Sequence, residues 1–186
     1  MDGILITISG TPCSGKTSVA RKLCERLQLD YFSPGDFRNK LLMNRGAGIR
    51  SYMENSIADD DRLVDSHLIS VMKKGDVVVD GIYAALLCEV DYIDGFHVFL
   101  DAPMPLRMRR YREREKKMCV EGVLREQEDS EVRRGRDMYG VDYRSPTHYD
   151  TFLYTAKMGT EKALKLLLRG HRVRHGITAA QQAEVY

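Results

Sequence analysis

The segment Gly10-Thr11-Pro12-Cys13-Ser14-Gly15-Lys16-Thr17 matches the pattern G-x-x-x-x-G-K-[ST] at every fixed position, and no other stretch limits the fold as tightly. An apolar, β-branched run, Ile4 to Ile8, leads into it. Behind it Val19, Ala20, Leu23, Cys24 and Leu27 recur at helical spacing, with Arg21, Lys22, Glu25 and Arg26 on the other side. Strand, loop and helix are the context this motif requires. Gly10 and Gly15 permit backbone geometry that a Cβ resists, so that successive N–H groups can turn inward around a phosphate at the positive end of the helix. Lys16 adds a mobile charge for the β and γ phosphates, and the Thr17 hydroxyl is placed for Mg²⁺. The pattern therefore predicts a nucleoside triphosphate site. The plain alternative, a chance match to a Gly-rich turn, leaves the flanking strand and helix unexplained.

Further along, Leu29–Phe32 predicts a second strand, and Ser33-Pro34-Gly35-Asp36 a turn and helix start. Residues 37–74 predict several short helices: the weak periodicity, Gly46, Gly48 and the run Asp59-Asp60-Asp61 point to an exposed helical insertion and not a core layer. Val77–Val79 and Phe96–Leu100 read as buried strands, each ending in a carboxylate, Asp80 or Asp101. Asp80 is the better candidate for a metal ligand beside the phosphate loop, since Gly81 lets the chain turn sharply there. Pro103–Lys117 and Val120–Tyr139 are charged helical segments, Thr151–Thr155 a last short strand, and Thr160–Arg169 a closing helix. Residues 171–186 read as a loose tail. Strands alternating with helices predict an α/β fold with a parallel sheet covered on both faces, in one domain over residues 1–170.

Lys plus Arg total 29 against 27 Asp plus Glu, a net charge of +2, which supplies no global attraction to nucleic acid or a membrane surface. No apolar run approaches the roughly 20 residues of a membrane helix, and the first strand starts too early for a signal peptide. A soluble, cytoplasmic protein is expected, with the four cysteines, Cys13, Cys24, Cys88 and Cys119, as reduced thiols without a zinc pattern. Cys13 lies inside the phosphate loop, where a thiol pKa can fall; without a resolving cysteine it reads as a tolerated small side chain and not a redox switch.

The positive charge is local: residues 107–136 carry eleven Lys or Arg. Arg107, Arg110 and Arg114 share one helix face, with Arg109 and Arg112 directed elsewhere. A one-sided row of guanidinium forks suits a phosphoryl group in transfer. Arg125, Arg133, Arg134 and Arg136 form a second basic group able to close from the other side. The alternative is a solvated helix balanced by Glu113, Glu115, Glu126 and Glu128 through i to i+4 pairs.

These residues together resemble the nucleoside monophosphate kinases, and within them the archaeal-type cytidylate kinase family, from about residue 4 to residue 168. The resemblance is carried by Gly10–Thr17, Ser33-x-Gly35-Asp36 with Arg45-Gly46, Asp61-x-x-x-Asp65, Val78-Val79-Asp80-Gly81, Leu100-Asp101-Ala102-Pro103, Arg107-x-x-Arg110-x-x-x-Arg114-Glu115, and Tyr139-Gly140-Val141-Asp142 ahead of Tyr149-Asp150. It implies a three-layer P-loop kinase fold, with an acceptor-binding insertion at 36–74 and an arginine-bearing lid at 104–140. The implied ATP site is Gly10, Thr11, Pro12, Cys13, Ser14, Gly15, Lys16, Thr17 and Ser18, with Mg²⁺ on Thr17 and Asp80. Catalytic roles fall to Lys16, Arg110, Arg114 and Arg134, and acceptor binding to Asp36, Arg38, Arg45, Asp80 and Gly81. The implied reaction converts CMP or dCMP to its diphosphate with ATP·Mg²⁺, in a monomer. The chain departs from the family in having Ile82 and Ala84 where an arginine usually grips the acceptor phosphate, Arg38 where an aromatic is common, Asn39 in the more usual arginine place, Tyr154-Thr155 for an Asn-Thr pair, and Gln127 for a lid arginine, with Arg125 as its substitute. Arg38, Arg45 or Arg50 are the candidates to hold the acceptor instead. Another small acceptor such as AMP, UMP or a non-nucleotide metabolite, or an ATP-binding switch module without transfer, are the other readings.

Overall fold

The computed structural model describes residues 3–44, 57–116, 118 and 121–174. Five strands, β1 (Leu5–Gly10), β2 (Asp30–Phe32), β3 (Val77–Asp80), β4 (Phe96–Asp101) and β5 (Thr151–Tyr154), form one sheet in the order β2-β3-β1-β4-β5. All four pairings are parallel, with Ile6 opposite both Val78 and Phe96. Parallel neighbours demand crossover helices, and the helices must cover both faces, so the strands read as near-continuous apolar runs. Every residue of β1 is buried.

Period-two alternation divides the core between the two faces. Ile6, Ile8, Val78, Val98 and Leu100 point to α1 (Lys16–Leu27) and α7 (Thr160–Arg174), meeting Val19, Ala20, Leu23, Leu164 and Leu167. Leu5, Val77 and Val79 point the other way, to α3 (Ile57–Lys74) and α4 (Ala84–Val90), meeting Leu68, Met72, Ala84 and Leu87. The result is helix, sheet, helix, an α/β three-layer fold. The remaining helices are α2 (Pro34–Asn44), α5 (Met104–Glu115) and α6 (Glu121–Tyr139). Val132 of α6 packs with Leu86, Phe99 and Tyr143 in a third cluster that ties α6 to α4 and β4.

Three expectations are corrected here. From Ile57 on, the 37–74 stretch is a single 18-residue helix, and it is a core layer: Val64, Leu68 and Met72 are each buried at 2% exposure or less. Their four-residue spacing sets a stripe against the sheet, but the exposed Leu63, the partly buried Ile69 and Val71 and the buried Asp61 lie off it and blur the periodic signal. The closing helix runs to Arg174, past the expected end at Arg169, because Leu167 and His171 continue its buried face. Residues 175–186 lie outside the described residues.

Candidate functional site

The loop between β1 and α1 is shaped by contacts a side chain would destroy. Gly10 has φ 146°, and a Cβ there would sit 2.1 Å from the Leu100 carbonyl oxygen. The Thr11 N–H donates to that same oxygen at 3.1 Å, and the Thr11 hydroxyl donates to Asp101 at 2.7 Å, so β4 anchors the start of the loop. Gly15, at φ 106°, precedes α1, whose first backbone N–H groups have no partner within the helix. Lys16 lies across the loop, its Nζ donating to Gly10 O at 2.9 Å and Thr11 O at 2.8 Å. Burial pulls its pKa below the ordinary 10.5, opposed by the Asp80 and Glu131 carboxylates.

A cleft of about 740 Å³ opens over this loop at the carboxyl ends of the strands, where α/β sheets bind ligands. Pro12 to Val19 form its floor, Arg110 and Arg114 of α5 one wall, and Gln127 and Glu131 of α6 another. Arg110 also fixes the loop: its Nη1 donates to Ser14 O at 2.6 Å and to Thr155 Oγ1 at 3.2 Å. Thr155 in turn donates to Ser14 O at 3.0 Å. Glu131 accepts from Gln127 and from the buried Tyr143 hydroxyl; burial raises its pKa, opposed by the Lys16 ammonium.

Thr17 and Asp80 meet, the Thr17 hydroxyl donating to Asp80 Oδ2 at 2.6 Å, and the Tyr31 hydroxyl reaches the same oxygen at 3.2 Å. Two hard oxygen donors beside a phosphate loop fit Mg²⁺, which keeps several waters and takes few protein ligands. Among the described residues no cluster of three His, Cys, Asp or Glu could form a full protein cage, so the pair suits an ion shared with a phosphate. The Asp101 carboxylate is instead taken by Thr11 and the Ala102 N–H.

A second cavity, about 230 Å³, adjoins the first, and Lys16 and Ile82 line both. Ser33, Arg38, Asp65, Asp80, Gly81, Tyr83 and Arg134 are among its other walls. Arg38 (α2) and Arg134 (α6) both pair with the buried Asp61 of α3, Arg38 at 2.6 Å. Asp65, one turn on, accepts the Tyr139 hydroxyl at 2.7 Å, and burial raises its pKa.

Most of the expected residues converge on these two spaces, but with altered assignments. Arg107 is no part of either: it is buried and paired with Glu128 at 2.9 Å, joining α5 to α6. Arg125 is exposed and held by Glu121, while Gln127 itself lies in the cleft wall. Asp36 lines neither cavity; it sits in the first turn of α2, where the helix dipole favours a carboxylate, 4.0 Å from Arg21. Gly10 and Thr11 shape the loop without lining the cleft. Arg45, Arg50 and Cys119 fall outside the described residues. Glu131 and Tyr83 were not anticipated; the signal for Glu131 was its spacing of four from Gln127 and three from Arg134 on one helix face.

Comparison with known proteins agrees with this architecture. Residues 6–137 match the family model described as an AAA domain. The chain is 31% identical over 172 residues to a cytidylate kinase of Halobacterium salinarum, covering 89% of this chain and 88% of that one. In structure it is similar to a gluconokinase from Sinorhizobium meliloti, with TM-score 0.64 at 17% identity, covering 95% of each chain. It is also similar to shikimate kinase from Acinetobacter baumannii in complex with shikimate, with TM-score 0.59 at 19% identity, covering 95% of this chain and 96% of that one.

Proposed function

The chain belongs to the P-loop kinase family together with the archaeal-type cytidylate kinases, and from that premise we propose that it transfers the γ-phosphoryl group of ATP to a nucleoside monophosphate, CMP or dCMP. The observation that carries this is the position of Lys16, on the wall common to two adjoining cavities. A donor in the larger cleft and an acceptor in the smaller one would present their phosphates to each other across that ammonium. The acceptor's phosphate oxygen attacks the γ phosphorus, the bond from γ phosphorus to the β-bridging oxygen breaks, and ADP leaves with the electron pair. The attacking oxygen is already ionised, so no general base is required, and positioning and charge neutralisation lower the barrier. Mg²⁺ held by Thr17 and Asp80 would neutralise phosphate charge. Arg110 holds the loop, and Arg114, which lines the cleft and pairs with Glu115 at 2.7 Å, is the guanidinium for the transferring group. We place the enzyme in the cytoplasm as a monomer.

A bisubstrate compound joining adenosine and cytidine through five phosphates tests this reading. Occupying both cavities at once, it should bind about 10²-fold or more tightly than ATP or CMP alone. Affinity no better than that of ATP would contradict it.

A second reading, transfer to another small acceptor, is favoured by Ile82, which lines the smaller cavity without a charge, and by the fold neighbours that are a gluconokinase and a shikimate kinase. An acceptor hydroxyl would then need a base, and Asp65 and Asp80 are the carboxylates lining that cavity.

A further inference from the structure

The larger cleft has a nucleophile in its floor that the proposed transfer does not use. Cys13 is half-buried, lines the cleft and stands just ahead of Gly15, the N-cap of α1. Its backbone has φ 60°, in the left-handed region that favours glycine, so a cysteine is kept there at a conformational cost. Cations stand close to it. Arg110 Nη1 donates to the Cys13 carbonyl oxygen at 3.3 Å, and the charges of Lys16, Arg110 and Arg114, which line the same cleft, each interact with the Cys13 sulfur. The carboxylates of that wall are engaged elsewhere, Glu113 by Arg109 at 3.6 Å and Glu131 by the Gln127 amide and the Tyr143 hydroxyl. Beside Cys13, the Ser14 hydroxyl is fully buried and has no hydrogen-bond partner among the described residues, so the floor offers a donor to an anionic guest. Positive neighbours and a helix N-terminus favour the thiolate, the reactive form of a cysteine, and draw anions towards it. The other described cysteines lack this setting. Burial pushes the Cys24 thiol up, and pushes the thiol of the buried Cys88 up to about 12.

We propose that Cys13 is a modification site for an anionic low-molecular-weight disulfide, and that the mixed disulfide formed there closes the larger cleft to ATP. The thiolate attacks one sulfur of the reagent, a new S–S bond forms as the reagent's own breaks, and the departing half leaves as a thiolate with the electron pair. The second sulfur arrives with the reagent, so the chain needs no resolving cysteine. An excess of reducing thiol reverses the exchange. The closure rests on the reading of the larger cleft as the ATP site; the smaller cavity, which Cys13 does not line, stays open.

Incubation of the full chain with glutathione disulfide at low ionic strength, followed by peptide mass spectrometry, tests the site. Cys13 should be modified about tenfold or more faster than Cys24, and its preference for glutathione disulfide over the dicationic cystamine should exceed that of Cys24 about tenfold. ATP binding, titrated directly, should fall in step with modification of Cys13 and return with dithiothreitol. ATP should protect Cys13, and CMP should not. Cys13→Gly, which suits the φ 60° backbone, should bind ATP as well after glutathione disulfide as before it. Modification of Cys13 no faster than of Cys24, or without the preference for the anionic reagent, would contradict the site. ATP binding retained by a chain fully modified at Cys13 would contradict the closure. If ATP binds the untreated chain yet gives no protection, the ATP reading of this cleft fails and the closure with it. Turnover of the untreated chain with CMP reads the kinase assignment separately, and its absence leaves the Cys13 site standing wherever ATP binding behaves as described.

Discussion

At the scale of a single residue the proposed chemistry converges on Lys16. Its ammonium is half-buried, held by the loop carbonyls, and feels the charges of the Asp80 and Glu131 carboxylates. Lys16→Ala should lower kcat by a factor of about 10² or more, the cost of removing one pre-organised charge from a transferring group, while the far-UV circular dichroism spectrum stays native. Turnover equal to wild type would remove Lys16 from the mechanism. Its titration adds a pH signature. Burial favours the neutral amine, so the charged form is lost at a lower pH than in free lysine; the alkaline limb of kcat/KM for ATP should fall below 10.5. In kcat the limb should move up, since bound phosphates stabilise the ammonium. The loop is legible because its information is local: within eight consecutive residues Gly10, Gly15, Lys16 and Thr17 each have a conformational or chemical reason to be there.

Helices α5 and α6 show where local reading stops. Spacing places Arg107, Arg110 and Arg114 on one helix face, but spacing cannot say how far along that face the cleft extends. Arg110 and Arg114 reach it, while Arg107 lies one turn back, buried against Glu128, which also binds Arg144 at 3.0 Å. Arg107→Ala leaves the Glu128 carboxylate short of a buried partner and should destabilise the fold by about 3 kcal/mol, seen as a lowered Tm, with KM for ATP held at temperatures where the variant is folded. A raised KM without a change in Tm would return Arg107 to the binding site. The acidic run Asp59-Asp60-Asp61 misleads in the opposite direction. It suggests an exposed helical insertion, yet Asp61 is buried, because its partners Arg38 and Arg134 come from helices 23 positions before it and 73 after it. Such pairing exists only in the folded chain. The strands and α1 are readable from their apolar runs, and α3 is not, because an exposed Leu63, a buried Asp61 and the partly buried Ile69 and Val71 blur its period.

At the scale of the whole molecule, the parallel sheet brings the ends of β1, β3 and β4 together, and the sequence order of these strands does not announce that meeting. From it follow two cavities joined at Lys16, one over the phosphate loop and one between α2, α3 and α6. Two adjoining cavities leave room for a donor and an acceptor, as the proposed transfer requires. The direct measurement is consumption of ATP·Mg²⁺ with CMP, dCMP, UMP, AMP, GMP or no acceptor, with the product identified by chromatography and a parallel set in excess chelator. Rapid formation of CDP or dCDP from CMP or dCMP alone, abolished by the chelator, is the predicted result. ATP hydrolysis indifferent to the acceptor, or no diphosphate formed from any of the five nucleotides, would contradict it.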